Sequence, residues 1–332
     1  MTDSQIRTIE QLFELTGQPA QTASLNAALR LGVIDLLTAG QKTAAEISQQ
    51  CRLHETGTLA LLRVLQQIGL VEKFGDDYAL SQAGRLTPGD LWAVMFRQWT
   101  QLESALRIEE PSGDQSTSGK SQNAQKRLEQ FRFVQEHIAW AAAGIALKVA
   151  EALGAGNERE SLRLLDLGCG SAVYSMTIAY RDSGCTVTLV DDERGLQRAK
   201  TTVESLQADS RVEMIESGDL SISGLNEAFE MALIADRIHV MDIEERKRVL
   251  EMVRQSLVSG GEIVVIDHFP GQTRGELNLS MYELQLLAGT GRSMLSLRDL
   301  QAILGESGFS EIQFANLPVA PYTHGLMLAS KQ

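Results

Sequence analysis

Apolar residues recur at helical spacing through the first ninety or so positions. Leu25, Leu29, Val33, Ile34 and Leu37 share one helical face, and Gly40 stops that helix. Thr43, followed three residues later by Glu46, is a capping box that opens a helix over 44–50. Leu59, Leu62, Val64, Leu65 and Ile68 predict a third helix ending at Gly69. Leu70–Phe74, a Gly75-Asp76 turn and Tyr78–Leu80 then read as a hairpin. Three helices followed by a hairpin make a winged-helix outline.

The pattern then changes twice. Residues 91–108 are amphipathic and helical, with Trp92, Phe96 and Trp99 on neighbouring turns, whereas 109–125 is rich in Ser, Gly, Gln and Asn and reads as a loop. Residues 127–153 predict one long helix that ends in Gly154. From Ser161 onward, short apolar runs at 162–165, 186–190, 212–215, 231–235 and 262–266 alternate with helical stretches. Such alternation predicts a parallel sheet covered on both faces. The last two runs, 312–316 and 325–330, are joined only by a loop and predict an added antiparallel pair. The chain therefore divides into an N-terminal module (1–105), a connecting loop and helix (106–155) and an α/β domain (156–332).

Composition narrows the class. The 332 residues carry 30 basic and 43 acidic side chains, a net charge of -13, which argues against broad attraction to nucleic acid or anionic membranes. No apolar run approaches a bilayer span, and the N-terminus lacks a basic segment followed by an apolar one. Three cysteines are too few for a disulfide framework, so a cytoplasmic protein is expected. The five histidines show no His-x-x-x-His pair and the cysteines no Cys-x-x-Cys spacing, so no metal is expected either.

Asp166-Leu167-Gly168-Cys169-Gly170-Ser171 follows a strand and precedes a helix. Its glycines let a ligand approach the backbone, and the helix that follows offers free N–H groups. A dinucleotide site would need a third glycine at position 173, which is Val173. The carboxylate of Asp166 would repel pyrophosphate but suits an ammonium or sulfonium. Asp191 ends the next strand, 21 positions after Gly170. That is close to the roughly 20-residue spacing at which an acid meets a ribose diol. Gly218-Asp219 after the third strand could receive an adenine amino group. Together these features ask for a nucleoside with a cationic amino-acid tail, S-adenosylmethionine.

Leu165–Gly170, Leu189-Val190-Asp191, Ser217-Gly218-Asp219 and Ser259-Gly260-Gly261 resemble, in order, the motifs of class I S-adenosylmethionine-dependent methyltransferases. With the N-terminal unit, the chain resembles the small-molecule O-methyltransferases, plant caffeate-type and bacterial polyketide or pigment enzymes among them. The resemblance implies a Rossmann-like seven-stranded sheet with its last strand antiparallel and a winged-helix dimerisation domain that forms a homodimer. It implies that Asp166, Gly168 and Gly170 shape the methionine end of the pocket. Asp191 would hold the ribose, and Asp219 and Leu220 would flank the adenine.

It also implies a catalytic histidine just beyond the fourth strand, where Asp236-Arg237-Ile238-His239-Val240-Met241-Asp242 stands. Taken alone, a histidine there closes a helix N-terminus; in the family register His239 is the general base. An imidazole suits the task because its ordinary pKa of about 6.5 leaves it partly neutral near pH 7. The family continues His-Asp-Trp where this chain has His239-Val240-Met241. Of two orienting carboxylates, Asp267 could be one; the second finds no match in Gly291–Leu295. His239 with Asp267 alone, weaker base catalysis, carbon methylation or another reaction all stay open. For the acceptor, Phe133, His137 and Trp140 form one helical stripe and Met281, Tyr282 and Leu286 another, each either plain core or the wall of a pocket for a flat apolar molecule. His268 could join the site on this reading, while His54 and His324 look incidental.

Two rivals follow from the same residues. A winged-helix regulator would need a basic reading helix. Between Gln41 and Leu86, however, five bases meet five acids and cancel. A protein that binds the cofactor without transferring its methyl group is the other.

Overall fold

The computed structural model describes residues 3–86, 89–100, 102–106, 126, 128–131, 134, 142–270, 276–318 and 323–332. It divides into two compact units, Met1–Gln101 and Leu102–Gln332.

In the first unit, the apolar face predicted as one helix is split. Asp3–Arg30 is helical, Gly32 turns the chain in the left-handed region (φ 74°), and Val33–Thr38 starts a second helix. The capping box forms as expected: Glu46 N–H donates to Thr43 Oγ1 at 3.2 Å and Thr43 N–H donates to Glu46 Oε2 at 2.7 Å, opening Ala44–Gln50. Helix Glu55–Gln67 leads into the predicted hairpin, β2 (Val71–Phe74) and β3 (Asp77–Leu80), to which the short β1 (Lys42–Thr43) adds on the far side of β3. Leu25, Ile34, Leu37, Ile47, Leu62, Leu65 and Tyr78 form its core, and Trp92 and Phe96 of helix Gly89–Thr100 pack against it.

The second unit is built on seven strands: β4 (Arg163–Leu167), β5 (Thr186–Asp191), β6 (Val212–Glu216), β7 (Phe229–Ala235), β8 (Leu257–Asp267), β9 (Phe309–Pro318) and β10 (Thr323–Lys331). Their order is β6-β5-β4-β7-β8-β10-β9. Strands β4 to β8 pair in parallel, and β10 runs antiparallel to both β8 and β9. The expected Rossmann-like sheet with a reversed final strand is the one found.

Both faces of this sheet are covered, and the sequence shows why. Successive residues of a strand point to opposite faces. Leu164, Leu189, Val264 and Ile266 join the core beneath helices Ala143–Ala152, Val173–Arg181 and Glu193–Ser205. Their neighbours Leu165, Val190, Ile263 and Val265 join the opposite core with helices Ile243–Ser256 and Leu297–Glu306. A strand buried on both sides reads as an apolar run without alternation. Each such fully buried side chain contributes about 1.5–3 kcal/mol. Ser259-Gly260-Gly261 lies inside β8, where the register with β7 shifts between Phe229 and Met231 and Gly260 takes φ 73°. No described helix is long and apolar enough to cross a membrane.

Chain order reverses at β4, whose neighbours are β5 on one side and β7 on the other. In open α/β sheets, ligands bind beyond the carboxyl ends of the strands at such a switch point.

Candidate active site

The loop after β4 has the geometry of a ligand cradle. Gly168 (φ 72°) and Gly170 (φ 54°) both adopt conformations that side chains rarely take, and Ala172 follows at φ 56° before helix Val173–Arg181. A Cβ on Gly168 would meet Arg237 Cγ at 2.9 Å, whereas Gly170 faces open space. Asp191, at the end of β5, ties the loop down: its Oδ2 accepts from Gly170 N–H at 2.8 Å and its Oδ1 from Asp192 N–H at 2.8 Å. A carboxylate has about four acceptor positions. Two therefore remain for a diol. Asp166 is buried under the loop and accepts a hydrogen bond from Ser175 Oγ at 2.5 Å. Burial pushes its carboxyl up to about 7, against the Ser175 hydrogen bond that lowers it, and Asp191 adds to the rise. A cation bound beside it would recover that lost solvation. Glycine freedom, oriented carboxylates and a buried acid fit a cationic nucleoside. Burial raises the Cys169 thiol far above its usual range, so it is a neutral small side chain.

The other side of the switch point holds His239 and Asp267, a buried titratable pair. Past β7 the chain makes a single 3₁₀ turn, Ile238–Val240, before Asp242 caps helix Ile243–Ser256 by accepting from Glu245 N–H at 2.8 Å. This turn drops His239 into the interior, with its side chain 1% exposed. Its Nδ1 lies 2.7 Å from Asp267 Oδ1 and 2.9 Å from Oδ2, at the end of β8. Its Nε2 lies 2.8 Å from the Tyr282 hydroxyl of helix Glu276–Thr290. Burial works against charge on His239, but the adjacent Asp267 carboxylate outweighs it and the imidazole pKa is raised. Phe131, Val240, Leu279, Leu286 and Met294 pack with Tyr282 into a separate apolar cluster. A Cβ on Gly289 would come within 2.9 Å of Phe131 Cβ, so a larger residue there would have to displace that side chain.

Residues 99–310 match the O-methyltransferase domain, and residues 13–87 match the O-methyltransferase dimerisation domain. The chain belongs to the O-methyltransferase family. It is an S-adenosylmethionine-dependent O-methyltransferase. The mitomycin biosynthesis 6-O-methyltransferase of Streptomyces lavendulae is 22% identical over 335 residues, covering 91% of this chain and 93% of that protein. The O-demethylpuromycin-O-methyltransferase of Streptomyces alboniger is 23% identical over 318 residues, covering 90% and 83%. Human N-acetylserotonin methyltransferase, solved in complex with SAM, superimposes with a TM-score of 0.70 at 20% identity, covering 100% of this chain and 99% of that one.

In this O-methyltransferase the remaining expected site residues fall out unevenly. Asp219 is exposed, and both its oxygens are engaged. Oδ1 accepts from Ser217 Oγ (2.9 Å) and Ser221 N–H (3.1 Å), while Oδ2 accepts from Ser221 Oγ (2.8 Å) and pairs with Arg248 at 3.1 Å. Leu220 takes φ 59°, and its side chain is fully buried in the same core as Val190. Met281 and Tyr282 do not share a surface: Met281 is exposed while Tyr282 is buried. Phe133, His137 and Trp140 lie outside the described residues. His268 packs its ring 4.6 Å from Tyr282, and burial, reinforced by neighbouring His324, pushes its pKa down to about 3. His324, expected to be incidental, is buried with Nε2 3.6 Å from Asp236 Oδ1.

Sequence reasoning missed two supporting residues. Gly195 sits in helix Glu193–Ser205 where any Cβ would overlap the Asp191 carboxylate. The signal was a glycine four residues after Asp191, inside an otherwise good helix. The spacing of Tyr282 points to the acceptor wall and carries no sign of a hydroxyl on His239.

Proposed function

We propose that this O-methyltransferase methylates a hydroxyl of a small, flat and largely apolar molecule, aromatic or polyketide-like, with His239 as general base. The observation that carries the reading is the state of the imidazole. Asp267 takes the Nδ1–H, so the lone pair of neutral His239 is at Nε2, where the Tyr282 hydroxyl meets it. A hydroxyl donates one hydrogen bond and accepts others. Tyr282 can therefore donate to His239 while accepting from an acceptor hydroxyl, relaying that proton inward without leaving its place. The aliphatic and aromatic side chains around Tyr282 favour an apolar acceptor, and the relatives named for mitomycin biosynthesis and O-demethylpuromycin are consistent with that class.

S-adenosylmethionine supplies a methyl group already activated on a sulfonium. Gly168 and Gly170 would admit its methionine end, Asp166 would face the ammonium, and Asp191 would hold the ribose hydroxyls. At the adenine end, Asp219 would have to exchange one of its present partners, such as the exposed Arg248, for the amino group, and Leu220 would contribute through its backbone. Much of the acceleration then comes from holding oxygen in line with the methyl group.

The N-terminal unit supports a homodimer. Leu12, Phe13 and Leu15 of helix Asp3–Arg30 are 58%, 73% and 63% exposed, an apolar face that a second copy would cover. The cysteines Cys51, Cys169 and Cys185 are free thiols, which agrees with a cytoplasmic location.

Incubation with methyl-labelled cofactor and a panel of phenols and hydroxylated polyketides tests the reading. Label should appear as an ether on at least one acceptor, with S-adenosylhomocysteine in equal amount. Label on carbon, or cofactor binding with no product across the panel, would contradict it.

A further inference from the structure

We infer that Asp236, His268 and His324 form a binding site for one divalent first-row transition cation of the zinc type. Their positions, separated by 32 and then 56 residues (236 to 268 to 324), give no spacing motif. The sheet brings them together, because β7, β8 and β10 are neighbours in that order. Asp236 follows the last residue of β7, and His268 follows the last residue of β8. The antiparallel register pairs Gly325 with Asp267, so His324 of β10 falls beside His268. The two imidazole rings are 4.0 Å apart between centroids.

One ligating atom from each of the three residues lies within 4.8 Å of the other two, and His324 Nε2 is 3.6 Å from Asp236 Oδ1. Zinc holds nitrogen and carboxylate oxygen at about 2.0–2.2 Å in a tetrahedron, which puts ligand atoms roughly 3.4 Å apart. One edge of the triangle is thus nearly closed already. Both histidines are buried, at 5% and 6% exposure. Asp236 Oδ1 is out of solvent and makes no hydrogen bond, and the same holds for His324 Nδ1. A carboxylate oxygen out of solvent, in a cluster with one ligating nitrogen of each imidazole, is satisfied by a cation. The other oxygen, Oδ2, accepts from the Tyr174 hydroxyl at 3.1 Å. That is the outer hydrogen bond that typically fixes a ligating carboxylate.

Two nitrogens and one oxygen select zinc, cobalt, nickel or iron over magnesium or calcium, which prefer oxygen alone. Three protein ligands also leave a position open, as in sites where a metal meets water or substrate. Tyr282 touches both assemblies, its ring on His268 and its hydroxyl on His239.

The inference goes beyond the methyl-transfer reading and does not rest on it, since its test uses neither acceptor nor cofactor. Untagged full-length protein, stripped with chelator, is titrated with Co²⁺ alone and followed by visible absorption; Zn²⁺ is then measured by competition with a chromogenic chelator. The expected result is one ion per chain, with a Co²⁺ spectrum of low coordination number that Zn²⁺ abolishes. Asp236→Asn, which keeps the shape of the side chain, and His324→Ala should each weaken affinity at least about a hundredfold, more than loss of an outer-sphere partner does. Thermal unfolding of each variant confirms that it is folded, and Asp236→Asn alone decides the matter if His324→Ala is not. No bound ion in the wild type, or equal affinity in the folded variants, overturns the site.

Discussion

His239 Nδ1 and the Asp267 carboxylate meet at 2.7 Å with both side chains withdrawn from solvent. The contact fixes which imidazole nitrogen carries the proton and raises the affinity of the ring for a second one. A raised pKa has a definite sign in the rate. The base works only when neutral, so kcat/KM should rise with pH through an inflection above the ordinary imidazole value of about 6.5. Asp267→Asn should move that inflection down and lower the plateau. Stability follows the same linkage in the opposite sense. The pair stabilises the fold below the unfolded imidazole pKa, and its contribution fades as pH rises through the folded one. The gap in melting temperature between wild type and Asp267→Asn should accordingly be widest in acid. An inflection unmoved by Asp267→Asn would detach the carboxylate from the base.

Tyr282→Phe removes one oxygen from the path between acceptor and base. The relay predicts a fall in kcat of about 10²–10⁴-fold, the range for loss of positioned proton transfer, with little change in the affinity for S-adenosylhomocysteine. If Tyr282 merely filled the space that an acceptor hydroxyl takes, the variant would be as fast as wild type or faster.

Asp191→Ala should weaken S-adenosylhomocysteine binding by about 10–150-fold, from the roughly 1.5–3 kcal/mol of a hydrogen bond to a charged group. The carboxylate also holds Gly170 N–H, so the variant loosens the loop as well as removing the proposed ribose contact. Calorimetry measures the affinity, and circular dichroism checks that the fold is kept. Unaltered affinity would remove Asp191 from the cofactor site.

Gly195→Ala offers a test in which the ordinary sign reverses. Alanine in a helix interior normally stabilises by about 0.5–1 kcal/mol relative to glycine. Here the added methyl would displace the Asp191 carboxylate. The expected outcome is a lower melting temperature together with weaker S-adenosylhomocysteine binding. A gain in stability with normal affinity would show that the carboxylate has room to move.

What the sequence made legible was local. The Thr43–Glu46 box, the hairpin after Gly69 and the apolar runs of the sheet each rest on a few neighbouring residues, and each is found where expected. Asp191 and Asp267 were legible because strand ends in this topology converge at one edge. Three things were hidden, each for a physical reason. Gly32 breaks a helical face whose periodicity runs on unperturbed, since periodicity carries no record of a single left-handed residue. Tyr282 and Met281 are adjacent in sequence, and only the packing of their helix decides which faces His239. His324 was unreadable because its neighbours arrive through the register of β10 with β8, a relationship that no spacing records.

The central claim is that His239 takes the acceptor's proton, and His239→Gln examines it most directly. Turnover is followed as label transfer from methyl-labelled cofactor to an accepted hydroxyl compound, beside calorimetry with S-adenosylhomocysteine. The account predicts that kcat drops by about 10²–10⁴-fold while cofactor affinity stays that of the wild type, the melting temperature falling as it does for Asp267→Asn because the same buried pair is lost. A folded His239→Gln enzyme that turns over at the wild-type rate would contradict it.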